Sequence, residues 1–409
     1  MRRYVVVGSG VAGVTAAQTV ARTDPGSEVH LLGCEPFPYY QRPRLWALIA
    51  DQIEEQELYF RPAEWYAERG IQLHLDAAAR DLDPAAHEVT LDDGSTLNYD
   101  RLLLATGGVP SVPPIQGVEL EGVFSLRTLQ DARAIKAYAE HVDRALIVGG
   151  GLLGLETARA LLRPHRRVAV LEIVPHLLPR QLDAPGAALL TRLLEEMGMQ
   201  IIVGKHTQAI LGQDQVEGVR FVDGDQVQGN MVVLSTGIRS KTELARAAGL
   251  AVNRGIQVDE QLRTSAEDVF AAGDAAEFGG LVYGIIPAAM EQARAAGMNM
   301  VNRGSVTYLG TIPSTTLKIV GIDLTCLGES TADGEGTEVV RHVDQERGVY
   351  KRLAFRDGRV VGAIYLGDRS DVRPIQQLMA EGRQVAVYGE RLVDGSLDLK
   401  ALAAGEAPA

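Results

Sequence analysis

Apolar residues gather along this chain in short unbroken runs, each closed by glycine and followed by a longer stretch with helical spacing. Tyr4-Val5-Val6-Val7 is the first such run, and Gly8-Ser9-Gly10-Val11-Ala12-Gly13 closes it. A later run, Ala145-Leu146-Ile147-Val148, is closed by Gly149-Gly150-Gly151-Leu152-Leu153-Gly154. Continuous apolar runs of this length read as strands covered on both faces, as in a parallel sheet. The stretches behind the two turns, Val11 to Arg22 and Leu152 to Leu162, read as helices, and Pro164 stops the second.

The same order of elements follows each turn. Behind the first come a strand over Glu28–Leu32, an irregular and then charged helical segment over 36–60, and strands and turns from Ile71 to Val89. Asp93-Gly94 marks a hairpin turn, and the apolar run after Asp100 ends in Ala105-Thr106-Gly107. Pro110, Pro113 and Pro114 mark a crossover. Behind the second turn, Val168-Ala169-Val170-Leu171 leads to Glu172, and Val232-Val233-Leu234 ends in Ser235-Thr236-Gly237. This is an internal duplication of pattern, one unit nested inside the other. The short run Val269-Phe270-Ala271, ending in Ala272-Gly273-Asp274, would return the chain to the first sheet, ahead of a helix from Pro287 to Asn302.

The tail changes period. Thr316–Ile322, Tyr350–Phe355 and Val360–Leu366 read as strands, with Asp357-Gly358 as a hairpin turn and a helix near Val372–Glu381. The final Ala-rich segment reads as frayed. The pattern predicts an α/β protein with two nested Rossmann-like dinucleotide-binding domains and a small C-terminal α+β domain. The expected boundaries are 1–112 with 240–305, then 113–239, then 306–409.

The turns carry specific chemistry. In G-x-G-x-x-G after a strand, the first glycine permits the sharp turn, the second lets backbone approach a pyrophosphate, and the third lets helix pack on strand. The phosphates then face free N–H groups at the positive end of a helix dipole. Glu35 and Glu172 lie about 20 residues beyond Gly13 and Gly154, where such units place the acid that bonds ribose hydroxyls. Two such turns in one chain imply two dinucleotides.

Charge and composition narrow the picture. The 409 residues carry a net charge of −13, which argues against nucleic acid as a partner. Arg42, Arg44 and Arg61 form a candidate local basic patch within this acidic whole. Mean hydropathy is near zero, and no apolar run is long enough to cross a membrane. Met1-Arg2-Arg3-Tyr4 enters a strand directly, leaving no room for a signal peptide, and a cytoplasmic protein is expected. The two cysteines, Cys34 and Cys326, make neither a disulfide framework nor a metal cluster, and no metal site is expected. Cys34 reads as an inert buried thiol.

The two glycine turns, Ala105-Thr106-Gly107, Ser235-Thr236-Gly237 and Ala272-Gly273-Asp274, together resemble the FAD-dependent pyridine-nucleotide oxidoreductases related to glutathione reductase. Tyr40-Gln41-Arg42-Pro43-Arg44-Leu45 is similar to a segment of rubredoxin and ferredoxin reductases within that superfamily. Leu317–Asp323 and Gly362–Asp368 are similar to the small C-terminal domain of NADH:rubredoxin oxidoreductases and of the flavin part of NADH-dependent nitrite reductase large subunits, and Trp65-Tyr66, with Tyr40 to Leu45, is similar to the former. Disulfide reductases of the superfamily carry two cysteines near residues 40–50, and this chain has none there. Ferredoxin reductases carry a Ser-Lys pair where this chain has Trp46-Ala47, whereas the lysine's usual glutamate partner is matched by Glu156.

The resemblance implies FAD and NADH as cofactors. FAD would be held by Gly8, Gly10, Ala12, Gly13, Glu35, Arg42, Thr106, Gly107, Gly273, Asp274 and the helix at Pro287. NADH would be held by Gly149, Gly151, Leu153, Gly154, Glu172 and Gly237. The acid Glu172 disfavours a 2′-phosphate, so NADH is expected over NADPH. Glu156 and Arg42 are the residues expected nearest the chemistry, with Trp46 and Lys318 as further candidates beside the flavin. Electrons would then leave without a thiol relay, toward a small iron–sulfur carrier such as rubredoxin or ferredoxin. The resemblance also allows an electron-input subunit of a nitrite reductase or other complex. The missing lysine motivates a third reading, a low-turnover flavoprotein acting as redox sensor or scaffold.

Overall fold

The structure, a computed structural model, describes residues 1–319 and 321–405, the side chain of Lys318 excepted. The chain divides into two compact units. The first comprises 1–45, 53–111 and 238–311; the second comprises 46–52, 112–237 and 312–409.

The first unit is built on a five-stranded parallel sheet ordered Val269–Ala271, Arg101–Leu104, Arg3–Val7, Glu28–Leu32, Ile71–His74. The strand after Asp268 does return to this sheet, beside Arg101–Leu104. Side chains alternate across the pleat. Tyr4, Val6, Val29 and Leu31 face the helices Val11–Thr23 and Ile286–Val301, whose alanines allow close approach. Val5, Val7, Leu32, Leu102 and Leu104 face the opposite core, over the meander Ala79–Asp83, Glu88–Leu91, Thr96–Asn98. Gly94 turns that meander's last hairpin at φ +84°.

The second unit repeats the plan. Its five parallel strands are ordered Gln200–Ile202, Arg167–Leu171, Arg144–Val148, Met231–Leu234, Val123–Ser125. A three-stranded sheet, Thr207–Leu211, Gly218–Phe221 and Gln226–Gln228, packs with it around Ile210, Val219 and Phe221. The correspondence is close at the hydrogen-bond level. Gly8 donates its N–H to Leu32 O at 2.8 Å, and Gly149 donates to Leu171 O at 2.8 Å.

The tail forms an antiparallel sheet ordered Ser314–Ile319, Ile322–Gly328, Arg359–Leu366, Val349–Arg356, Glu338–Asp344. The expected single strand over 316–322 is therefore two strands. Gly321 has φ +91°, a conformation that turns the chain back on itself. The strand Glu338–Asp344 carries a polar, half-exposed pattern and offered no apolar run to read. The Ala-rich segment expected to fray is helical over Leu399–Ala404, anchored by Asp398, which accepts from the N–H groups of Lys400 and Ala401. Residues 406–409 lie outside the described residues.

This sheet meets the helix Ala184–Glu196 through charge. Asp183, the N-cap of that helix, accepts the Tyr350 hydroxyl at 2.7 Å and pairs with Arg341 at 3.1 Å and Arg352 at 3.3 Å. Arg352 is 0% exposed and also donates to the carbonyls of Ser330 and Ala332. A buried cation is costly unless it is paired and hydrogen-bonded, and Asp183 and the two carbonyls supply that.

Candidate dinucleotide sites

Each glycine turn is shaped by contacts that leave no room for a side chain at two of its glycines. Gly8 has φ +112°, and a Cβ there would lie 2.1 Å from Ala105 O. A Cβ on Gly13 would lie 1.7 Å from Gly8 O. In the second unit Gly149 has φ +117°, and a Cβ there would lie 2.2 Å from Ser235 O; one on Gly154 would strike Gly149 O at 2.1 Å. The middle glycines differ. Gly10 and Gly151 are the N-caps of Val11–Thr23 and Leu152–Leu161, and a Cβ on either would meet nothing within 4 Å. No side chain caps either helix, and neither has an acid in its first turn. Two helix N-termini therefore present their positive ends to open space over a glycine. That fits a diphosphate, and no acidic side chain of the first turn competes for it.

The two ribose-acid candidates are held differently. Glu35 Oε2 accepts the Tyr40 hydroxyl at 2.6 Å, and Oε1 accepts from the Arg42 guanidinium at 2.6 Å. Arg42 also lies over the Tyr40 ring at 5.1 Å. Its pairing with Glu35 keeps its cation bound within the first unit. The role of Tyr40 as a clamp on Glu35 left no mark in the residue spacing. Glu172 follows its strand directly and is 9% exposed. Its Oε2 accepts the Gly150 N–H at 2.7 Å, and Oε1 accepts the Val174 N–H at 3.1 Å. This carboxylate is thus tied into the second glycine turn itself.

The remaining candidates fall into two sets, one per unit. In the first, Ala12 packs toward Gly273, whose N–H donates to Gln292 Oε1 at 2.9 Å. The Asp274 carbonyl accepts from Ser240 Oγ at 2.6 Å, and Thr106 Oγ1 donates to Lys241 O at 2.6 Å. Gly107 sits at φ +72° just past Arg101–Leu104, and Pro287 occupies the first turn of Ile286–Val301. In the second unit Gly237 has φ +94° with open space beside it. Leu153 lies in the first turn of Leu152–Leu161, and its carbonyl accepts from Thr157 Oγ1 at 2.7 Å. Glu156 of the same helix is 7% exposed, so it is no solvated surface charge. Trp46 is buried, and the Lys318 side chain lies outside the described residues. Of the basic patch, Arg44 donates to Glu57 O at 3.0 Å, and Arg61 stacks over Phe60 at 3.8 Å and Trp65 at 4.8 Å.

The cysteines give one correction. Cys34 is exposed, not buried, because it lies two residues past the end of Glu28–Leu32, where the chain leaves the sheet. Cys326 is buried, and burial pushes its thiol up to about 12, far from the thiolate that redox exchange needs. The double variant Cys34→Ser, Cys326→Ser should keep NADH-to-dye activity within about threefold, since Cys326 is buried as a protonated thiol and Cys34 forms no disulfide. Collapse of activity in a folded, flavin-loaded double variant would contradict this. Among the described residues no cluster of three or more His, Cys, Asp or Glu could hold a metal, and no helix is long and apolar enough to cross a membrane.

Comparison with known proteins agrees with this geometry. Residues 2–298 match the family described as pyridine nucleotide-disulphide oxidoreductase, and residues 313–383 match the rubredoxin NAD+ reductase C-terminal domain. The chain is 34% identical over 371 residues to a nitrite reductase [NAD(P)H] of Bacillus subtilis, covering 90% of this chain but only 46% of that protein. It is 31% identical to the ferredoxin–NAD(+) reductase component of the biphenyl dioxygenase system of Paraburkholderia xenovorans, covering 97% of both. The reductase in a covalent putidaredoxin reductase–putidaredoxin complex superposes with a TM-score of 0.89 at 27% identity, covering 99% of this chain and 98% of that one. The first curated relatives are thus about twice as long as this chain. With most of its length matched and both glycine turns built as a dinucleotide requires, the chain belongs to the pyridine nucleotide-disulphide oxidoreductase family.

Proposed function

We propose that this chain takes electrons from NADH through bound FAD and passes them to a small iron–sulfur carrier of the rubredoxin or ferredoxin kind. The observation that carries the reading is the pair of open helix N-caps at Gly10 and Gly151, one in each unit. The likeness to a ferredoxin reductase over nearly the whole of both chains, and to a reductase solved with its redox partner, supports the acceptor class.

Bound FAD supplies two-electron acceptance from the nicotinamide and single-electron release, while the protein binds and aligns. We assign the first unit to FAD. Gly8, Gly10 and Gly13 would cradle its pyrophosphate. Glu35, oriented by Tyr40 and Arg42, would accept from its ribose. Ala12, Thr106, Gly107, Gly273 and Asp274 would line its path, and the helix bearing Pro287 would direct its N-terminus at the flavin. We assign the second unit to NADH. Gly149, Gly151 and Gly154 would hold its pyrophosphate, Glu172 its adenosine ribose, and Leu153 and Gly237 the walls of the site. Glu156 is the buried acid assigned to the nicotinamide side. With NADH as donor, the reading places the chain in the cytoplasm.

The identity to a nitrite reductase of about twice the length supports a second reading, in which the same electrons feed a larger reductase. Stopped-flow mixing separates the two. The chain should purify yellow with one FAD, be reduced by NADH faster than by NADPH, and then reduce rubredoxin or ferredoxin within seconds. Reduction of a nitrite reductase partner but of neither carrier would favour the second reading. A chain that stays colourless after FAD is added would sink both.

A further inference from the structure

Two histidines meet across neighbouring strands of the first unit's sheet. His30 lies in Glu28–Leu32 and His74 ends the neighbouring parallel strand Ile71–His74. Both point to the same face of the sheet, since His74 stands opposite Leu32 and His30 opposite Gln72. Their rings stack with centroids 5.2 Å apart and planes at 23°. Nδ1 of His30 lies 3.0 Å from Nε2 of His74. His30 is 7% exposed.

That N···N bond requires one ring to donate and the other to accept. A first proton goes to a ring nitrogen outside that bond and leaves it intact; a proton on each ring leaves two donors facing each other and sets two charges side by side, one of them on the buried His30. The charged groups acting on His30 are its own strand's Glu28, the adjacent strand's Arg3, and His74. Glu28 lies 3.9 Å from His30 Nε2, but its carboxylate already accepts from Arg3 Nε at 2.6 Å. Burial, His74 and Arg3 hold His30 below its ordinary value, against Glu28; burial does the same to His74. A depressed histidine is worth most above its unfolded value, near 6.5, and its contribution is lost as pH falls from there.

The pair connects directly to the turn. The His74 carbonyl accepts the Gly33 N–H at 2.8 Å, and the Gly33 carbonyl accepts the Ala77 N–H at 2.8 Å. Gly33 packs against Ser9, the second residue of the glycine turn; a Cβ on Gly33 would lie 2.6 Å from Ser9 Oγ. Two residues further on stands Glu35. Anything that spreads the ends of these two strands moves both the turn and the acid.

We propose that His30 and His74 form a proton-sensitive latch under the dinucleotide site of the first unit, closed at neutral pH and open in acid. The site then grips its nucleotide less tightly as pH falls, a consequence that rests on the assignment of FAD to this unit. The latch opens when both rings are protonated: two new N–H bonds form, the N–H···N hydrogen bond between the rings is lost, and no other covalent bond changes.

The test compares the flavin-loaded protein with His74→Gln, whose amide still hydrogen-bonds but takes no proton. Between pH 7.5 and 5.5 the wild type should release FAD, read by its fluorescence, with a dissociation constant raised about tenfold. In His74→Gln the rise should be less than about threefold by the same measure. Equal pH dependence in the two proteins, or a flat wild type, would overturn the latch. Melting of the FAD-free chains over the same range reads the pair independently of the nucleotide, and the wild type should lose more stability than the variant. Failure of the functional reading is therefore distinct from failure of the latch. If His74→Gln does not fold, His30→Gln and NMR titration of the wild-type rings take its place. Rings titrating at or above the ordinary histidine value would refute the proposal.

Discussion

Gly10→Ala should give a folded protein that no longer holds FAD. The added methyl meets no protein atom within 4 Å, and the backbone there is extended at φ −72°, which alanine adopts without strain. Loss of a glycine N-cap costs about 1 kcal/mol at most, so the melting temperature of the FAD-free chain should barely move. The methyl instead fills the space over the helix N-terminus that we assign to the diphosphate. Displacing two charge-assisted hydrogen bonds, each worth about 1.5–3 kcal/mol, weakens binding by about 100-fold or more. Gly151→Ala should do the same to NADH while leaving the flavin content intact. Gly13→Ala is the control of opposite kind, because its methyl would lie 1.7 Å from a backbone carbonyl and the strand–turn–helix could not close. Flavin absorbance per protein, thermal melts and the KM for NADH distinguish the three. A yellow Gly10→Ala protein with full FAD occupancy would show that the diphosphate does not run over this helix.

Glu172→Ala should lower kcat/KM for NADH by about 10- to 100-fold and narrow the preference over NADPH. The buried carboxylate accepts the Gly150 N–H at 2.7 Å and the Val174 N–H at 3.1 Å, so it shapes the turn besides the ribose-binding role we propose for it. Loss of one charge-assisted bond of about 1.5–3 kcal/mol accounts for that range. Removing the negative charge also removes the repulsion toward a 2′-phosphate, so NADPH should suffer less. Glu172→Gln discriminates the two effects. Its uncharged side chain should restore part of the NADPH rate without restoring the turn's hydrogen bonds to charged strength. Rates with both nucleotides and a small dye as acceptor measure this. Faster reduction by NADPH in the wild type would remove Glu172 from the specificity role.

Local sequence determined the repeated core of this protein. Unbroken apolar runs before Gly8 and Gly149, helix-spaced alanines and leucines after them, and glycines that admit no Cβ specify strand–turn–helix without outside help. The return of Val269–Ala271 to the first sheet was legible for the same reason, since a short apolar run ending in glycine suits only a parallel strand. Tertiary structure decided what depends on partners far along the chain. Arg352 sits in a strand with an ordinary pattern, and only the approach of Asp183 and two loop carbonyls makes it a buried cation. Arg42 is one of several arginines near residue 40 until the loop folds it onto Glu35. Cys34 looks like a core thiol beside an apolar strand, and its exposure depends on where the chain leaves the sheet. His30 and His74 show no spacing that joins them, and a parallel register sets their nitrogens 3.0 Å apart. Periodicity and steric exclusion act within a few residues and are therefore written in the sequence. Charge pairing and burial act between residues that only the completed fold brings together.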